Sequence, residues 1–355
     1  MRIEAIYQAL QAVGAKECHI HRVLRAWTQG LPLDHGTRKQ AAQDFLPLAL
    51  RQALPQLDEA LTKLARVRSQ HPGEDGSARL LVELADAQLV ESVLLPRDGV
   101  CISSQVGCAV GCTFCMTGRD GLLRQLTSGE MVAQVVLARR QRPVRRVVFM
   151  GMGEPSHNLD NVLDAINLLG THGGLGHKNL VFSTVGDLRV FERLPQERVK
   201  PALAVSLHST RPELRAELLP RAPQIAPDTL VELAEGYARD TGYPIQYQWT
   251  LIDGVNDSQE EIDGIVRLLA GKYAIMNLIP YNSTATLAYQ RPSLERVTAM
   301  TRELHARGVR TTVRNSAGQD VDGGCGQLRS RLTADDKPLA AHLRQRTLTL
   351  HPKAD

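Results

Sequence analysis

The feature that most constrains this chain is a series of short apolar runs, each stopping at a polar or glycine-bearing motif. Arg146-Val147-Val148-Phe149-Met150 runs into Gly151-Met152-Gly153-Glu154-Pro155, and Val181-Phe182 into Ser183-Thr184. Ala202-Leu203-Ala204-Val205 leads to Ser206-Leu207-His208-Ser209, and Ala274 to Ile279 leads to Pro280-Tyr281-Asn282. Between them lie stretches of helical length such as Leu159 to Leu169 and Ser293 to Arg307, and Asp257 or Ser258 is placed to cap a helix reaching Leu269. Strand and helix alternating in this way predict a parallel sheet with right-handed crossovers. Each motif then falls at the carboxyl edge of the sheet, where such folds gather their ligand sites. About six strands fit between Val100 and Ile279, too few for eight units, so the expected fold is α/β, a partial (β/α)6 barrel.

At the head of the series stands Cys101-Ile-Ser-Ser-Gln-Val-Gly-Cys108-Ala-Val-Gly-Cys112-Thr-Phe-Cys115, with four of the six cysteines of the chain. Thiolates at Cys108, Cys112 and Cys115 can each ligate one iron of a four-iron cluster, leaving the fourth iron open to a small molecule. A buried helical stripe of cysteines is the plain alternative, but Gly107 and Gly111 would each cost such a helix ~1 kcal/mol relative to alanine. Zinc with Cys101 as fourth ligand stays open on spacing alone, although zinc modules usually pair two short knuckles and only one is present.

The 355 residues suggest one large catalytic domain and a smaller appendage. Residues 1–75 are expected to be helical, with a break at Pro55 and a polar boundary at His71-Pro72-Gly73-Glu74-Asp75-Gly76. Residues 76–328 hold the barrel, and residues 329–355 form a basic tail. Net charge is +4, and aromatic residues are only 4%, so base-stacking platforms are not the main binding device. Arginines at 139, 140, 142, 145 and 146, and basic residues Arg329, Arg331, Lys337, Arg344 and Arg346, are candidates for RNA phosphates or for solvated faces. Neither a signal peptide nor a membrane span is indicated, which points to the cytoplasm, where cysteines serve as ligands and reactive thiols.

Extended runs at Leu80–Leu84, Leu89–Leu95 and Val100–Ser103 lead into the cysteine loop, and Glu91 lies among valines in the second. A lone glutamate on a strand usually faces solvent. Near the end, Gly318-Gln-Asp-Val-Asp-Gly323-Gly324-Cys325-Gly326-Gln-Leu328 sets a cysteine among glycines, accessible and suited to reactivity.

Cys101-Ile-Ser-Ser-Gln-Val-Gly-Cys108 with Gly111-Cys-Thr-Phe-Cys-Met-Thr-Gly118 resembles the cluster loop of the RlmN/Cfr family of radical-SAM RNA adenine methyltransferases, over roughly residues 88–328. The resemblance implies a 4Fe-4S cluster on Cys108, Cys112 and Cys115. It also implies two S-adenosylmethionine molecules per turnover, contacted by Gly153, Glu154, Ser183, Ser206, Leu207, His208 and Asn282. Cys325 would carry a methyl group, from which a radical derived from S-adenosylmethionine takes hydrogen. Glu91, its pKa raised by burial, would remove the ring proton, and Cys101 would attack the Cys325 sulfur to release product with a transient disulfide. The implied target is C2 of an adenosine in 23S rRNA, with tRNA as a further substrate, or C8 as in the resistance branch. The implied partners are RNA, bound in part by the helical domain, and an electron donor such as a flavodoxin. A zinc-stabilised RNA-binding protein without catalysis is the rival of another class. The family commonly has two alanines where Gly323 and Gly324 stand, which predicts greater loop freedom here.

Overall fold

The computed structural model describes residues 1–36, 41–284 and 286–329. The chain opens with helices α1 (Ile3–Ala12), α2 (Glu17–Thr28) and α3 (Leu48–Thr62). Pro55 does not break α3, whose Leu50, Leu54 and Leu61 are buried on both sides of it and hold the helix to one surface. The helical expectation for residues 1–75 ends there. From Ala65 the chain is a strand, β1 (Ala65–Pro72), paired antiparallel with β2 (Ala78–Leu84). Arg66, paired with Glu83, and Arg68, at the register shift between Val67 and Ser69, both reach Glu83 of β2.

The strands β3 (Leu89–Leu95) and β4 (Gly99–Cys101) continue the antiparallel meander, and a separate ribbon of β5 (Gln105–Gly107) and β6 (Leu122–Gln125) frames the cysteine loop. Then α4 (Ser128–Arg139), β7 (Arg146–Phe149), α5 (Leu159–Thr171), β8 (Leu180–Thr184), α6 (Leu188–Arg193) and β9 (Ala202–Ser206) alternate. They are followed by α7 (Pro212–Leu218), α8 (Pro227–Thr241), β10 (Ile245–Leu251), α9 (Gln259–Leu269), β11 (Ala274–Pro280), α10 (Leu294–Ala306) and β12 (Thr311–Val313). Ser258 caps α9, its Oγ accepting the N–H of Glu261 at 3.3 Å.

One sheet runs β1-β2-β3-β4-β7-β8-β9-β10-β11-β12, and every neighbouring pair from β4 onward is parallel. The six parallel strands from β4 to β11 are the expected partial barrel; β12 adds a seventh, and β1 to β3 extend the other edge. The main apolar core reaches from Ile3 and Trp27 in the N-terminal helices through the barrel to Leu328, and a second, smaller one gathers Cys108, Phe114, Leu218 and Tyr281 around the cysteine loop. Helix α4 is buried from Ser128 to Ala138 on every face, because the barrel lies on one side and α2, α3 and β1 on the other. A capping box starts it, with Thr127 N–H donating to Glu130 Oε2 at 2.8 Å and Glu130 N–H donating to Thr127 Oγ1 at 3.3 Å.

The register decides which side chains face the barrel interior. Arg79 opposes Val93, Leu81 opposes Glu91, Val93 opposes Cys101, and Cys101 stands beside Val148. Arg79, Glu91, Val93 and Cys101 therefore share one face. Ser92 points to the other, where its Oγ donates to Gln134 of α4 at 2.8 Å. The segment 318–329 crosses the first face, and most of the predicted basic tail, residues 330–355, lies outside the described residues. No helix among the described residues is long and apolar enough to cross a membrane.

Candidate active site

The cysteine loop is fixed by close backbone approaches. Gly107 has φ +79°, and a Cβ there would lie 2.0 Å from the Gly121 carbonyl oxygen, so only glycine lets the two backbones meet. Cys108 N–H donates to that same oxygen at 3.0 Å, and Thr113 N–H donates to Leu218 O, at the end of α7, at 3.0 Å. All three thiols, at Cys108, Cys112 and Cys115, are free. Burial pushes Cys108 up to about 12, Cys112 well above the ordinary thiol value and Cys115 upward as well, with the neighbouring thiols adding to the effect at Cys108 and Cys112.

This donor set fits an iron-sulfur cluster. The thiols belong to one tight loop and need a strong cation to give up their protons. Beside Cys112 and Glu154 lies Arg215, whose buried Nε has no hydrogen-bond partner, an orphaned donor suited to an anionic group. Among the described residues no three His, Cys, Asp or Glu side chains form a single-ion site. Cys101, the candidate fourth zinc ligand, instead feels Cys325 and Arg314.

Glu154 anchors the next motif. Its Oε1 accepts the N–H of Ser156 and its Oε2 the N–H of Val185, both at 3.1 Å, while its own N–H donates to Gln105 Oε1 at 2.7 Å. The motif glycines serve chain-to-chain approach. A Cβ on Gly151 would lie 2.6 Å from Ile102 O, and one on Gly153, at φ +101°, would lie 2.6 Å from the Gln105 side chain.

Ser183 sits in β8 and Ser206 ends β9, both on the interior face by the pairing of Ser183 with Ala204 and of Ser206 with Gln248. Leu207 is fully buried, and its N–H donates to Gln248 O at 3.0 Å. His208 has φ +61°, and its Nδ1 accepts the N–H of Thr250 at 2.9 Å, which leaves the proton of the neutral ring on Nε2. Burial, with Arg215 nearby, lowers it to about 3. Its ring packs edge-on against Phe114 of the cysteine loop at 4.9 Å. Asn282 follows β11, and its Nδ2 donates to Cys325 O at 3.0 Å and to Ser316 Oγ at 2.9 Å.

Cys325 is exposed, on a loop tied directly to the cysteine loop: Met116 N–H donates to Gly326 O at 2.7 Å, and Thr117 Oγ1 to Leu328 O at 2.8 Å. Cys101 is buried and pushed up to about 12 by that burial, with the Cys325 thiol as the next cause. Cys101 and Cys325 thus lie within electrostatic reach of each other. Glu91 lies close by on the same face, 2% exposed, but it is not isolated among valines: Arg79 Nη1 donates to its Oε1 at 2.5 Å and Arg329 N–H to its Oε2 at 2.7 Å.

Sequence reasoning missed Arg79, Arg215 and Arg291. Arg291 Nη1 donates to Asn282 Oδ1 at 3.3 Å and to Gln319 Oε1 at 3.0 Å, joining the two loops. The one available signal was Arg79, a charge inside a strand whose only other charge is Glu83. The arginine cluster at 139–146 lies before β7, at the amino edge of the sheet and away from the motifs, and Arg139 and Arg142 donate to backbone carbonyls of Thr28, Val144, Gly76 and Leu95.

Residues 102–269 match the radical SAM superfamily. A protein of Dechloromonas aromatica named a probable RNA methyltransferase is 77% identical over 331 residues, 93% of either chain. One of Pseudomonas aeruginosa, likewise named, is 68% identical over 333 residues, 94% of this chain and 96% of that one. The crystal structure of a radical SAM methyltransferase from Sphaerobacter thermophilus matches with a TM-score of 0.80 at 34% identity, covering 93% of this chain and 98% of that chain. Identity of this extent over nearly the whole length, on one shared fold, makes this chain a member of the radical SAM superfamily and, within it, of the RlmN/Cfr family of RNA methyltransferases.

Proposed function

We propose that this enzyme methylates a ring carbon of adenine, C2 of an adenosine in 23S rRNA with tRNA as a further substrate, through a methyl carried on Cys325. The observation that carries the reading is the hydrogen bond that ties the Cys325 loop to a loop of three free thiols, Met116 N–H to Gly326 O at 2.7 Å, with Cys101 in electrostatic reach of Cys325. Adenine C2 is a poor nucleophile, so polar methyl transfer does not suffice. The cofactors of the superfamily, a 4Fe-4S cluster and S-adenosylmethionine, would supply a carbon radical by reductive cleavage.

Cys108, Cys112 and Cys115 would hold the cluster. Glu154 would receive the ammonium of S-adenosylmethionine, with Gly153, Ser183, Ser206, the Leu207 backbone, His208 and Asn282 around the rest of it. Cys325 Sγ accepts a methyl from a first S-adenosylmethionine, and a second is used in each turnover. Once that carbon is joined to the ring, Glu91 takes the ring proton, the odd electron left on the ring would pass to the cluster, and Cys101 Sγ, as the thiolate, attacks Cys325 Sγ. The S–S bond forms as the S–C bond breaks, and its electron pair stays on the carbon, which takes a proton to become methyl. An electron donor such as a flavodoxin would reduce the cluster, and the Cys101–Cys325 disulfide must be reduced to two thiols before the next turnover, as cytoplasmic conditions allow. The N-terminal helices and residues 329–355 are assigned to RNA binding.

Nucleoside mass spectrometry of RNA from cells with and without the protein tests this. Loss of 2-methyladenosine on deletion is the expected result. Loss of 8-methyladenosine instead would move the target carbon, and no missing methyladenosine would overturn the reading.

A further inference from the structure

Arg79 and Glu91 are a buried pair, 5% and 2% exposed, on the interior face they share with Cys101. The guanidinium fork of Arg79 works in two directions. Nη1 donates to Glu91 Oε1 at 2.5 Å, and Nε donates to Val321 O at 2.7 Å, inside the loop that carries Cys325. The second carboxylate oxygen accepts the N–H of Arg329 at 2.7 Å, at the far end of that loop. The turn between β1 and β2 clamps the near end, with Gly318 N–H donating to Asp75 Oδ2 at 3.0 Å and Glu74 N–H to Asp320 Oδ2 at 2.9 Å. Cys325 is therefore carried on a span whose two ends are referenced to a single carboxylate.

We propose that Arg79 is a positioning residue that locks the Glu91 carboxylate to the Cys325 loop, so that closing the loop and aligning the base are one event. The inference rests on Glu91 acting as the base. A planar guanidinium can hold a carboxylate and a carbonyl at once in fixed directions, whereas the ammonium of lysine keeps the charge and loses the fork. Arg79→Lys therefore separates charge from geometry. Methylation of Cys325 from the first S-adenosylmethionine needs a folded loop and no base, so it serves as an internal folding control.

The test uses reconstituted holoenzyme and an rRNA transcript in single turnover, following Cys325 methylation by intact mass and RNA held covalently on the protein by denaturing gel. Wild type should release product without accumulating adduct. Glu91→Gln should hold RNA on Cys325. Arg79→Lys should methylate Cys325 as wild type does, yet release product on the order of tenfold to a hundredfold more slowly, with adduct accumulating, as a misplaced catalytic group predicts. Release at the wild-type rate overturns the proposal. Loss of Cys325 methylation in Arg79→Lys overturns it too, since Arg79 would then be support for the whole loop. If Glu91→Gln holds no RNA, it is the base assignment that fails, a result separable from either of these.

Discussion

The amide of Met116, next to Cys115, donates to the carbonyl of Gly326, next to Cys325, at 2.7 Å. That one bond brings the end of the cysteine loop and the end of the catalytic chain to the same point, and Thr117 repeats the link at Leu328 O, 2.8 Å away. Cys325 accordingly raises both Cys101, where it is second only to burial, and Cys115, where it is the smallest of the causes.

Cluster-free protein treated with a mild oxidant should therefore form a Cys101–Cys325 disulfide, identified by peptide mapping. The attacking species is the thiolate, and Cys101 is held near 12, so the rate should climb about tenfold per pH unit between 7 and 10. The exposed Cys18 gives the control for non-specific oxidation. A map without the 101–325 crosslink at any pH would separate the two thiols.

Gly324 is expected to resist substitution, contrary to the loop freedom predicted from its two glycines. A Cβ there would lie 2.5 Å from Gln327 Oε1 and 2.9 Å from Asn282 Nδ2, and Gln327 Oε1 is already held by the Gly324 N–H at 2.9 Å. Gly324→Ala should cost about 1–3 kcal/mol of stability in urea denaturation or expose the loop to protease. Adding Gln327→Ala should recover part of the loss, because the two substitutions share one contact.

The barrel was legible in the sequence because its strands are apolar runs that stop at chemistry. The run Ala202–Val205 into Ser206-Leu207-His208 needs no tertiary information to be recognised as a strand meeting a site. Helix α4 was not legible, since a helix buried on every face shows no apolar stripe to distinguish it. Residues 65–72 were hidden for the opposite reason. Their arginines face Glu83 across a strand pair, and that partner lies beyond the segment itself. The surroundings of Glu91 were equally out of reach, because Arg329 N–H arrives from the other end of the chain.

His208 should make the protein acid-sensitive. Its folded value is about 3 and the ordinary value is 6.5, so between those limits the unfolded chain binds a proton that the folded chain does not. Stability from this group is fully present above pH 6.5 and is lost as pH falls toward 3. His208→Asn keeps an acceptor and tolerates the left-handed backbone. It should therefore lose roughly 2 kcal/mol less than wild type between pH 7 and pH 5 in urea denaturation. His172, lowered to about 4, acts alike in both proteins and drops out of the comparison.

Metal loading should release protons and fail in acid. With burial holding Cys108 near 12 and the other two ligands raised, each thiol gives up its proton only to the metal. Anaerobic reconstitution with iron and sulfide should give a brown protein, with yield falling steadily from pH 8 to pH 6. Serine at any of Cys108, Cys112 or Cys115 should lower iron content further. Purified protein that carries zinc and refuses iron would favour the non-catalytic alternative.

Arg142 tests whether the arginine cluster at 139–146 is architecture or RNA contact. Its Nη1 donates to Gly76 O at 3.0 Å and its Nη2 to Leu95 O, tying the β1–β2 turn to the end of β3. The cluster also precedes β7, at the edge of the sheet remote from the site motifs. Arg142→Met should cost about 1.5–3 kcal/mol of stability, the usual loss for charged hydrogen bonds. A guanidinium occupied by two carbonyls has little left for phosphate, so RNA affinity should keep its dependence on salt. Were Arg142 a phosphate contact, the slope of log affinity against log salt would flatten by roughly 0.7 to 0.9. Binding titrations at three or four salt concentrations, beside a denaturation curve, separate the two, and a flattened slope with unchanged stability would make the cluster part of the RNA surface.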